Sequence, residues 1–128
     1  MKANIRKFRL SEQFILPYIE KEVPWGPVGY VTFKRTYSRR LNEFSPDAEG
    51  TEEWWQTCRR VIEGMFDMQK QHVYFLGLEW NDSKAQATAK DAYDRLFNLK
   101  WTPPGRGLWM MGTKFVEERT AAGLFNCA

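Results

Sequence analysis

The clearest periodic pattern of apolar residues follows Thr51 and predicts the longest helix of the chain. Apolar positions recur at offsets of one, four, seven, eight and eleven from the first, the spacing of one helical face. They are Trp54, Trp55, Cys58, Val61, Ile62 and Met65. Thr51 is a favourable N-cap, and Glu52 and Glu53 follow where the helix dipole stabilises carboxylates. Polar residues such as Arg60 fall on the other side, and Cys58 is interpreted as a small core hydrophobe.

A second amphipathic helix is predicted to begin near Ser83. Ser83 and Gln86 have the spacing of a capping box, in which side chains satisfy free amides of the first helical turn. The apolar positions that share one face of this helix are Ala85, Ala89, Ala92, Tyr93, Leu96 and Phe97. We expect the two helices to build an ordinary helical layer that carries no chemistry by itself.

The N-terminal third is less regular and contains a predicted strand. Ser11 is placed to cap a short helix carrying Phe14 and Ile15, which Pro17 strains or restarts. Residues 23–29 include two prolines and two glycines and predict a loop. Residues 30–38, YVTFKRTYS, are rich in β-branched and aromatic side chains and predict a strand. Residues 72–80 are apolar but too irregular to predict an element.

The composition indicates a folded intracellular protein. Of the 128 residues, 43% are hydrophobic and 27% are charged, which excludes a disordered chain. No apolar run approaches the ~20 residues of a membrane span, and the N-terminus lacks the apolar stretch of a signal peptide. Two cysteines are too few for a secreted disulfide scaffold, so a cytoplasmic location with reduced thiols is expected.

Metal binding is not predicted, because the chain has too few ligand residues. His72 is the only histidine, and no spacing of Cys and His resembles a zinc or iron site. His72 is therefore interpreted as a surface residue after a helix. Aromatic residues make up 16% of the chain, and part of their surface is predicted to be buried against something outside it.

Residues 101–113, WTPPGRGLWMMGT, contain a rigid and basic loop. Pro103 and Pro104 fix two φ angles, whereas Gly105 and Gly107 permit geometries that other residues rarely adopt. Arg106 lies between the glycines, and bare amides beside a guanidinium suit a phosphate group. The alternative is a Pro-Gly turn that merely ends the preceding helix. The loop lacks the Lys-Ser/Thr ending of a P-loop.

The sequence after this loop predicts an element that starts in this chain but is not completed in it. Gly112 and Thr113 predict a helix start. Residues 120–128, TAAGLFNCA, are small and apolar, as expected of a segment that enters a buried strand. We therefore expect further sequence after Ala128.

Four blocks of sequence occur in the order that is found in one enzyme family. They are RTYSR (35–39), EEWWQTCRRVIEG (52–64), AYDRLFNLKWTPPGRGLWMMGT (92–113) and FNCA (125–128). Together they resemble the N-terminal part of the monomeric, adenosylcobalamin-dependent ribonucleoside-triphosphate reductases, the class II ribonucleotide reductases. The resemblance runs from about Ser11 to the final residue, and PPGRGLW-x-MGT is its most specific block.

This resemblance implies a fold and a reaction. Residues 1–128 would form the N-terminal region of the catalytic domain, mainly α with a short β element, leading into the first strand of a ten-stranded α/β barrel. In the family, a thiyl radical generated with adenosylcobalamin removes the ribose 3′ hydrogen, water leaves from C2′, and a cysteine pair supplies two electrons. A thioredoxin-type reductant is the implied source of those electrons.

The resemblance also implies roles for individual residues. Cys127 falls where the first cysteine of the redox pair belongs, and Asn126 falls where related enzymes hold the substrate ribose. Arg106, Gly107 and Thr113 lie in the segment that lines the substrate phosphate region. The second redox cysteine, the radical cysteine and most of the cobalamin and effector sites belong to a remaining C-terminal part of the reductase. That part, the nucleoside triphosphate and thioredoxin are the implied partners.

Two interpretations without catalysis stay open on the residues alone. The basic and aromatic stretch FKRTYSRR (33–40) is typical of surfaces that stack nucleic-acid bases and neutralise phosphates, although a net charge of +3 is small. The other alternative is a helical interaction module in which Cys127 has no role. The resemblance favours the reductase, so neither a nucleic acid nor a membrane is expected as a partner.

Overall fold

The computed structural model describes residues 5–114, which form five α-helices and two short 3₁₀ turns. The helices are α1 (Glu12–Ile15), α2 (Pro27–Thr36), α3 (Trp54–Phe75), α4 (Asp82–Phe97) and α5 (Gly105–Met110). The 3₁₀ turns are Leu16–Tyr18 and Leu41–Glu43. Within residues 5–114, β-pairing is limited to an isolated antiparallel bridge between Arg40 and Thr51. The mainly helical prediction is confirmed, and the barrel strand predicted for residues 120–128 lies outside the described residues.

Helices α3 and α4 pack against each other at the centre of the core. The predicted faces of both helices are buried or half-buried, and Cys58 is fully enclosed, so its assignment to the core is confirmed. Two hydrogen bonds cross between the helices. The Trp54 indole N–H donates to the carbonyl of Phe97 at 3.0 Å, and the Tyr93 hydroxyl donates to the carbonyl of Trp55 at 2.9 Å. The core therefore buries large aromatic rings while satisfying their polar atoms.

The first helix begins where the sequence predicts it. Helix α1 begins after Ser11, whose carbonyl accepts from the amides of Phe14 and Ile15, although its side chain makes no capping bond. Pro17 lies in the 3₁₀ turn that continues the helix. The turn buries Tyr18, whose ring packs edge-on 4.8 Å from that of Tyr93.

The strand predicted for residues 30–38 is wrong, because most of that segment belongs to helix α2. Pro27 occupies the first helical turn, where its missing N–H removes no hydrogen bond. Phe33 is buried, with its ring 5.4 Å from Trp25 and 5.3 Å from Trp54. A β-branched residue disfavours a helix by less than about 0.7 kcal/mol, whereas burying one phenyl ring contributes about 1.5–3 kcal/mol. Tertiary burial therefore overrides the local preference for a strand.

Helix α3 begins and ends later than the pattern predicts. Its N-cap is Glu53 rather than Thr51, and the Gln56 side-chain oxygen accepts from the Glu53 amide at 2.7 Å. Helix α3 then continues through Phe75, so the irregular apolar segment contains its last turn. His72 is exposed as predicted, but it lies within the helix instead of after it.

Helix α4 begins before its predicted cap. Asn81 is the N-cap residue, and its side-chain oxygen accepts from the amide of Lys84 at 3.1 Å. Ser83 lies inside the helix. Gln86 is not part of a capping box, because its side-chain nitrogen donates to the carbonyl of Arg9 at 2.6 Å.

An extended N-terminal segment is held against the polar side of α3. The amide of Phe8 donates to Asp67 Oδ1 at 3.1 Å, and the amide of Leu10 donates to Glu63 Oε2 at 2.8 Å. The side chains of Phe8 and Leu10 enter the core. The side of α3 that the sequence pattern assigned to polar residues is thus an interior surface.

The turn after α5 makes a close backbone contact with α3. A Cβ added at Gly64 would lie 2.6 Å from the Gly112 nitrogen and 2.7 Å from its Cα. Gly112 has a φ of +78°, and a Cβ there would lie 2.6 Å from the carbonyl oxygen of Arg60. The two glycines therefore set the distance between the segment around α5 and the middle of α3.

Substituting Gly64 should destabilise the fold through this contact. We expect Gly64→Ser to lower the free energy of unfolding by about 1–3 kcal/mol, because the added atoms force the segment after α5 away from α3. Gly26→Ser is the matched control, since a Cβ at Gly26 meets nothing within 4 Å and serine is a favourable N-cap for α2. Urea unfolding measures both variants, and equal losses would contradict the proposed role of the contact.

Candidate functional site

The segment predicted to bind phosphate is a short helix and a turn rather than an open loop. Pro104 is the N-cap of α5, and the helix includes Arg106 and Gly107. The amides of Leu108 and Met111 bond to carbonyls four residues earlier in this segment, as in a helix. Pro104 has φ fixed near the helical range, which favours a helix start directly after it.

A buried ion pair lies beneath α5. Glu52 is only 2% exposed, and Arg60 donates to its carboxylate from Nε at 2.9 Å and from a terminal nitrogen at 3.1 Å. The Thr57 hydroxyl and the amide of Arg39 donate to the same carboxylate, each at 3.0 Å. Four donors therefore compensate for removing this carboxylate from water.

The same Arg60 guanidinium holds the end of α5. Its two terminal nitrogens donate to the carbonyls of Leu108 and Met111, each at 2.6 Å. The last carbonyls of a helix lack partners within the helix, and a cation satisfies both their hydrogen bonding and the negative end of the dipole. Arg60 consequently joins α3, the connection before it and α5 in one network.

The sequence motif RTYSR lies against the same network. The Ser38 hydroxyl donates to the carbonyl of Glu52 at 2.7 Å. The Arg39 guanidinium lies 4.7 Å from the centre of the Trp109 ring and donates to Glu43 at 2.7 Å. Since Arg39 is engaged on both sides, it is not a free cation of the kind that a nucleic-acid surface requires.

The predicted site residues have different environments. Gly107 is buried, and a Cβ there would lie 3.2 Å from Pro103. Thr113 is also buried, and its hydroxyl donates to the carbonyl of Met110 at 2.6 Å. Arg106 is exposed. The structure buries Gly107 and Thr113, whereas Asn126 and Cys127 lie outside the described residues.

A charged cleft of about 310 Å³ runs along α3 beside this network. Its acidic groups are occupied: Glu63 accepts from the Leu10 amide and from Arg59 Nε, and Asp67 accepts from the Phe8 amide. Arg59 also pairs with Glu12. Burial raises the pKa of the Glu63 carboxyl, and the Leu10 amide and the Arg59 charge offset part of that rise.

Sequence reasoning placed Arg60 on the polar side of α3 correctly but missed that this side, and Glu52 with it, is buried. Glu52 was interpreted as a carboxylate in the first helical turn, yet it precedes the helix and is buried. A usable signal was the pair of opposite charges at the start of an amphipathic helix, with Glu52 just before it and Arg60 within it. That signal alone does not show burial, because most such charges are solvated.

Neither the cysteine nor the histidine of the described residues suggests a reactive centre. Burial raises the pKa of the Cys58 thiol well above its ordinary value, which keeps it protonated and inert. Residues 5–114 contain no group of three or more His, Cys, Asp or Glu side chains arranged to hold a metal ion. Over the same residues, no helix combines the length and apolarity needed to cross a membrane.

Comparison with known proteins identifies the family. The ribonucleotide reductase alpha domain matches residues 10–113, from the N-terminal segment to the turn after α5. The chain belongs to this family. The match includes Glu52, Arg60 and the whole of α5, so the network described above lies within the reductase alpha domain.

Individual relatives agree with this assignment. The chain is 37% identical over 131 residues to a probable adenosylcobalamin-dependent ribonucleoside-triphosphate reductase of Dictyostelium discoideum, covering 100% of this chain and 17% of the relative. It is 36% identical over 126 residues to the adenosylcobalamin-dependent ribonucleoside-triphosphate reductase of Euglena gracilis, covering 95% and 17%. The chain therefore spans about a sixth of these reductases.

A solved structure confirms the fold of the described region. The crystal structure of a B-12 dependent (class II) ribonucleotide reductase matches with a TM-score of 0.76 and 30% sequence identity, covering 94% of this chain and 16% of that one. The resemblance found in the sequence blocks is thereby confirmed.

Removing the Arg60 guanidinium should be far more damaging than removing an exposed cation. We expect Arg60→Met to lower the free energy of unfolding by about 3–5 kcal/mol, because the buried Glu52 carboxylate would lose its cationic partner and two of its four hydrogen bonds, and the carbonyls of Leu108 and Met111 would lose the bonds from Arg60. Arg95→Met is the matched control, since Arg95 and Asp91 form an exposed pair within α4 and should contribute less than about 1 kcal/mol. Chemical unfolding compares the two, and similar losses would show that the buried network is not decisive.

The raised pKa of Glu63 predicts a pH-dependent loss of stability. The folded state binds the proton of the Glu63 carboxyl more tightly than the unfolded chain does. The free energy of unfolding therefore falls as pH rises from the ordinary pKa of 4.5 through the raised pKa. Glu63→Gln removes the titration, and the stability of the unsubstituted chain relative to the variant should decline as pH rises above 4.5. Unfolding curves at several pH values measure this difference.

The comparison with Glu12→Gln should show the opposite pH dependence of stability. The hydrogen bond and the charge of Arg59 lower the pKa of the Glu12 carboxyl, so the natural chain should gain on this variant as pH rises towards 4.5. A Glu63 comparison that shows no pH dependence, or the same sign as Glu12, would contradict the assignment.

Proposed function

We propose that this chain is the N-terminal part of an adenosylcobalamin-dependent ribonucleoside-triphosphate reductase. The observation that carries the proposal is the match of the ribonucleotide reductase alpha domain to residues 10–113. The two relatives reported above carry the cofactor in their names and align with 100% and 95% of this chain, which supports the same cofactor dependence here. The proposed reaction converts a ribonucleoside triphosphate to its 2′-deoxy form in the cytoplasm.

The proposed role of Cys127 is to supply reducing equivalents. Replacing the 2′-hydroxyl by hydrogen releases water and requires two electrons and two protons. Two thiols provide both when they become a disulfide. Cys127 would be one of these thiols, its partner would come from outside this chain, and thioredoxin would then reduce the disulfide. Adenosylcobalamin, held mainly by other sequence, supplies the radical that initiates the reaction.

The described residues would serve substrate positioning. Arg106, Gly107 and Thr113 are proposed to line the region of the substrate phosphates, with Asn126 at the ribose. Because the Thr113 hydroxyl is bonded to Met110, this residue would contribute through the backbone that it fixes. The exposed Arg106 side chain is the group best suited to approach a phosphate oxygen.

A chimaera tests the proposal directly. This chain replaces the aligned N-terminal region of the Dictyostelium discoideum relative, and turnover is measured with adenosylcobalamin, a ribonucleoside triphosphate and a dithiol. We expect turnover by the chimaera and none by the isolated chain, because the second redox cysteine and the radical cysteine lie elsewhere. Turnover by the isolated chain would contradict the assignment of missing parts, and a folded but inactive chimaera would contradict the proposed function.

Cys127→Ser in the chimaera isolates the role of the thiol. We expect at least a 1,000-fold loss of turnover, on the order of 4 kcal/mol in the barrier, since serine cannot form the disulfide. Cys58→Ala is the matched control, because Cys58 is a core residue and its replacement should leave turnover nearly unchanged. Full activity of Cys127→Ser would remove Cys127 from the redox pair.

A further inference from the structure

The end of α3 and the turn after it expose a group of large apolar side chains. Phe75 is 85% exposed, and its neighbours Tyr74, Leu76 and Leu78 are each about half exposed or more. We call these four residues the YFL turn. No residue between Val73 and Leu78 carries a charge, so the turn presents an uninterrupted apolar surface. Monomeric proteins rarely leave a contiguous apolar surface of this kind uncovered.

The exposed side chains of the YFL turn are carried by a structured backbone. Gly77 has a φ of +73°, its amide donates to the carbonyl of Tyr74, and the amide of Leu78 donates to the carbonyl of Val73, each at 3.0 Å. These two bonds are those of a Schellman motif, which satisfies the last carbonyls of a helix. The apolar side chains are thus presented on a structured turn with little backbone left to order on binding.

A second exposed apolar surface lies on α2, and it is smaller and borders a charged pair. On α2, Val28 is 79% exposed and Val31 lies one turn further along the same face. These side chains are smaller, and Lys34 follows on the same helix and pairs with Glu53 at 3.0 Å. The α2 surface is therefore smaller and borders a charged pair, so it is the less favourable of the two for an apolar contact.

We propose that the YFL turn is a surface on which the remaining polypeptide of the reductase packs. The proposal rests on the proposed function. The aligned relatives are about six times as long as this chain, and the solved relative contains the matched fold as 16% of its own chain. Most of such a protein lies outside the described residues, and it must bury part of its surface against this region. The YFL turn offers that remainder an apolar contact without charged groups to desolvate.

Covalent footprinting of the chimaera tests the contact without relying on activity. Photochemical carbene labelling of Phe75 and Leu78 is measured by mass spectrometry in the native chimaera and in the same protein unfolded in guanidinium. We expect labelling in the native state to fall to a tenth or less of the unfolded value. Labelling close to the exposed fractions found here would overturn the proposal.

Variants locate the contact. Phe75→Asp with Leu78→Asp is compared with Val28→Asp and Val31→Asp, each pair introduced into this chain and mixed with the remaining part of the relative as a separate polypeptide. We expect the first pair to raise the dissociation constant at least tenfold and the second pair less than threefold. Phe75→Ala should weaken binding in the same direction without adding charge. The reverse order of effects would move the contact to α2 and overturn the proposal.

The two proposals fail in different ways. Turnover by the chimaera with full labelling of Phe75 would reject the surface and keep the function. Protection of Phe75 in a folded, inactive chimaera would keep the surface and reject the function. Protection that depends on chimaera concentration would assign the YFL turn to self-association and would overturn the proposal.

Discussion

The rest of the structure depends on the buried pair of Glu52 and Arg60. A carboxylate removed from water is tolerated only when several donors surround it, and Glu52 receives four hydrogen bonds. Arg60 uses its remaining N–H groups on two carbonyls near the end of α5. The pair therefore fixes the connection before α3, the helix itself and the segment after α4 relative to one another. The neighbouring Gly64–Gly112 contact can be close because neither residue has a Cβ.

Helix α3 is consequently buried on two sides by different physical means. One side packs apolar groups against α4, and the other uses charged groups as acceptors and donors for backbone segments. Hydrophobic burial stabilises the first side without requiring a particular geometry, whereas hydrogen bonds on the second side require specific partners at specific distances. The second side therefore determines how the N-terminal segment and α5 lie on the helical layer. The positions of the residues proposed to approach the substrate phosphates therefore depend on this second side of α3.

Membership of the ribonucleotide reductase family gives the exposed features a common explanation. The chain spans about a sixth of the reductases it matches, and the rest of the polypeptide is proposed to pack against this region. Its aromatic content and its structured apolar turn are expected properties of such a region. Among the described residues, the Cys58 thiol is buried and protonated and the Thr113 hydroxyl is bonded to a neighbouring carbonyl, so neither side chain offers a reactive group. The proposed redox thiol comes later in the chain.

The sequence by itself determined the helical layer, the core face of α3 and α4, the core position of Cys58 and the family. Hydrophobic period and local motif order encode these properties directly, because each depends on residues close together in the chain. Only the tertiary structure decided that residues 27–36 form a helix, since the burial of Phe33 against Trp25 and Trp54 outweighs a weak local preference. Tertiary structure also decided that Glu52 and Arg60 are interior. A charge is buried only when its partners converge on it, and here those partners come from segments up to 51 residues away.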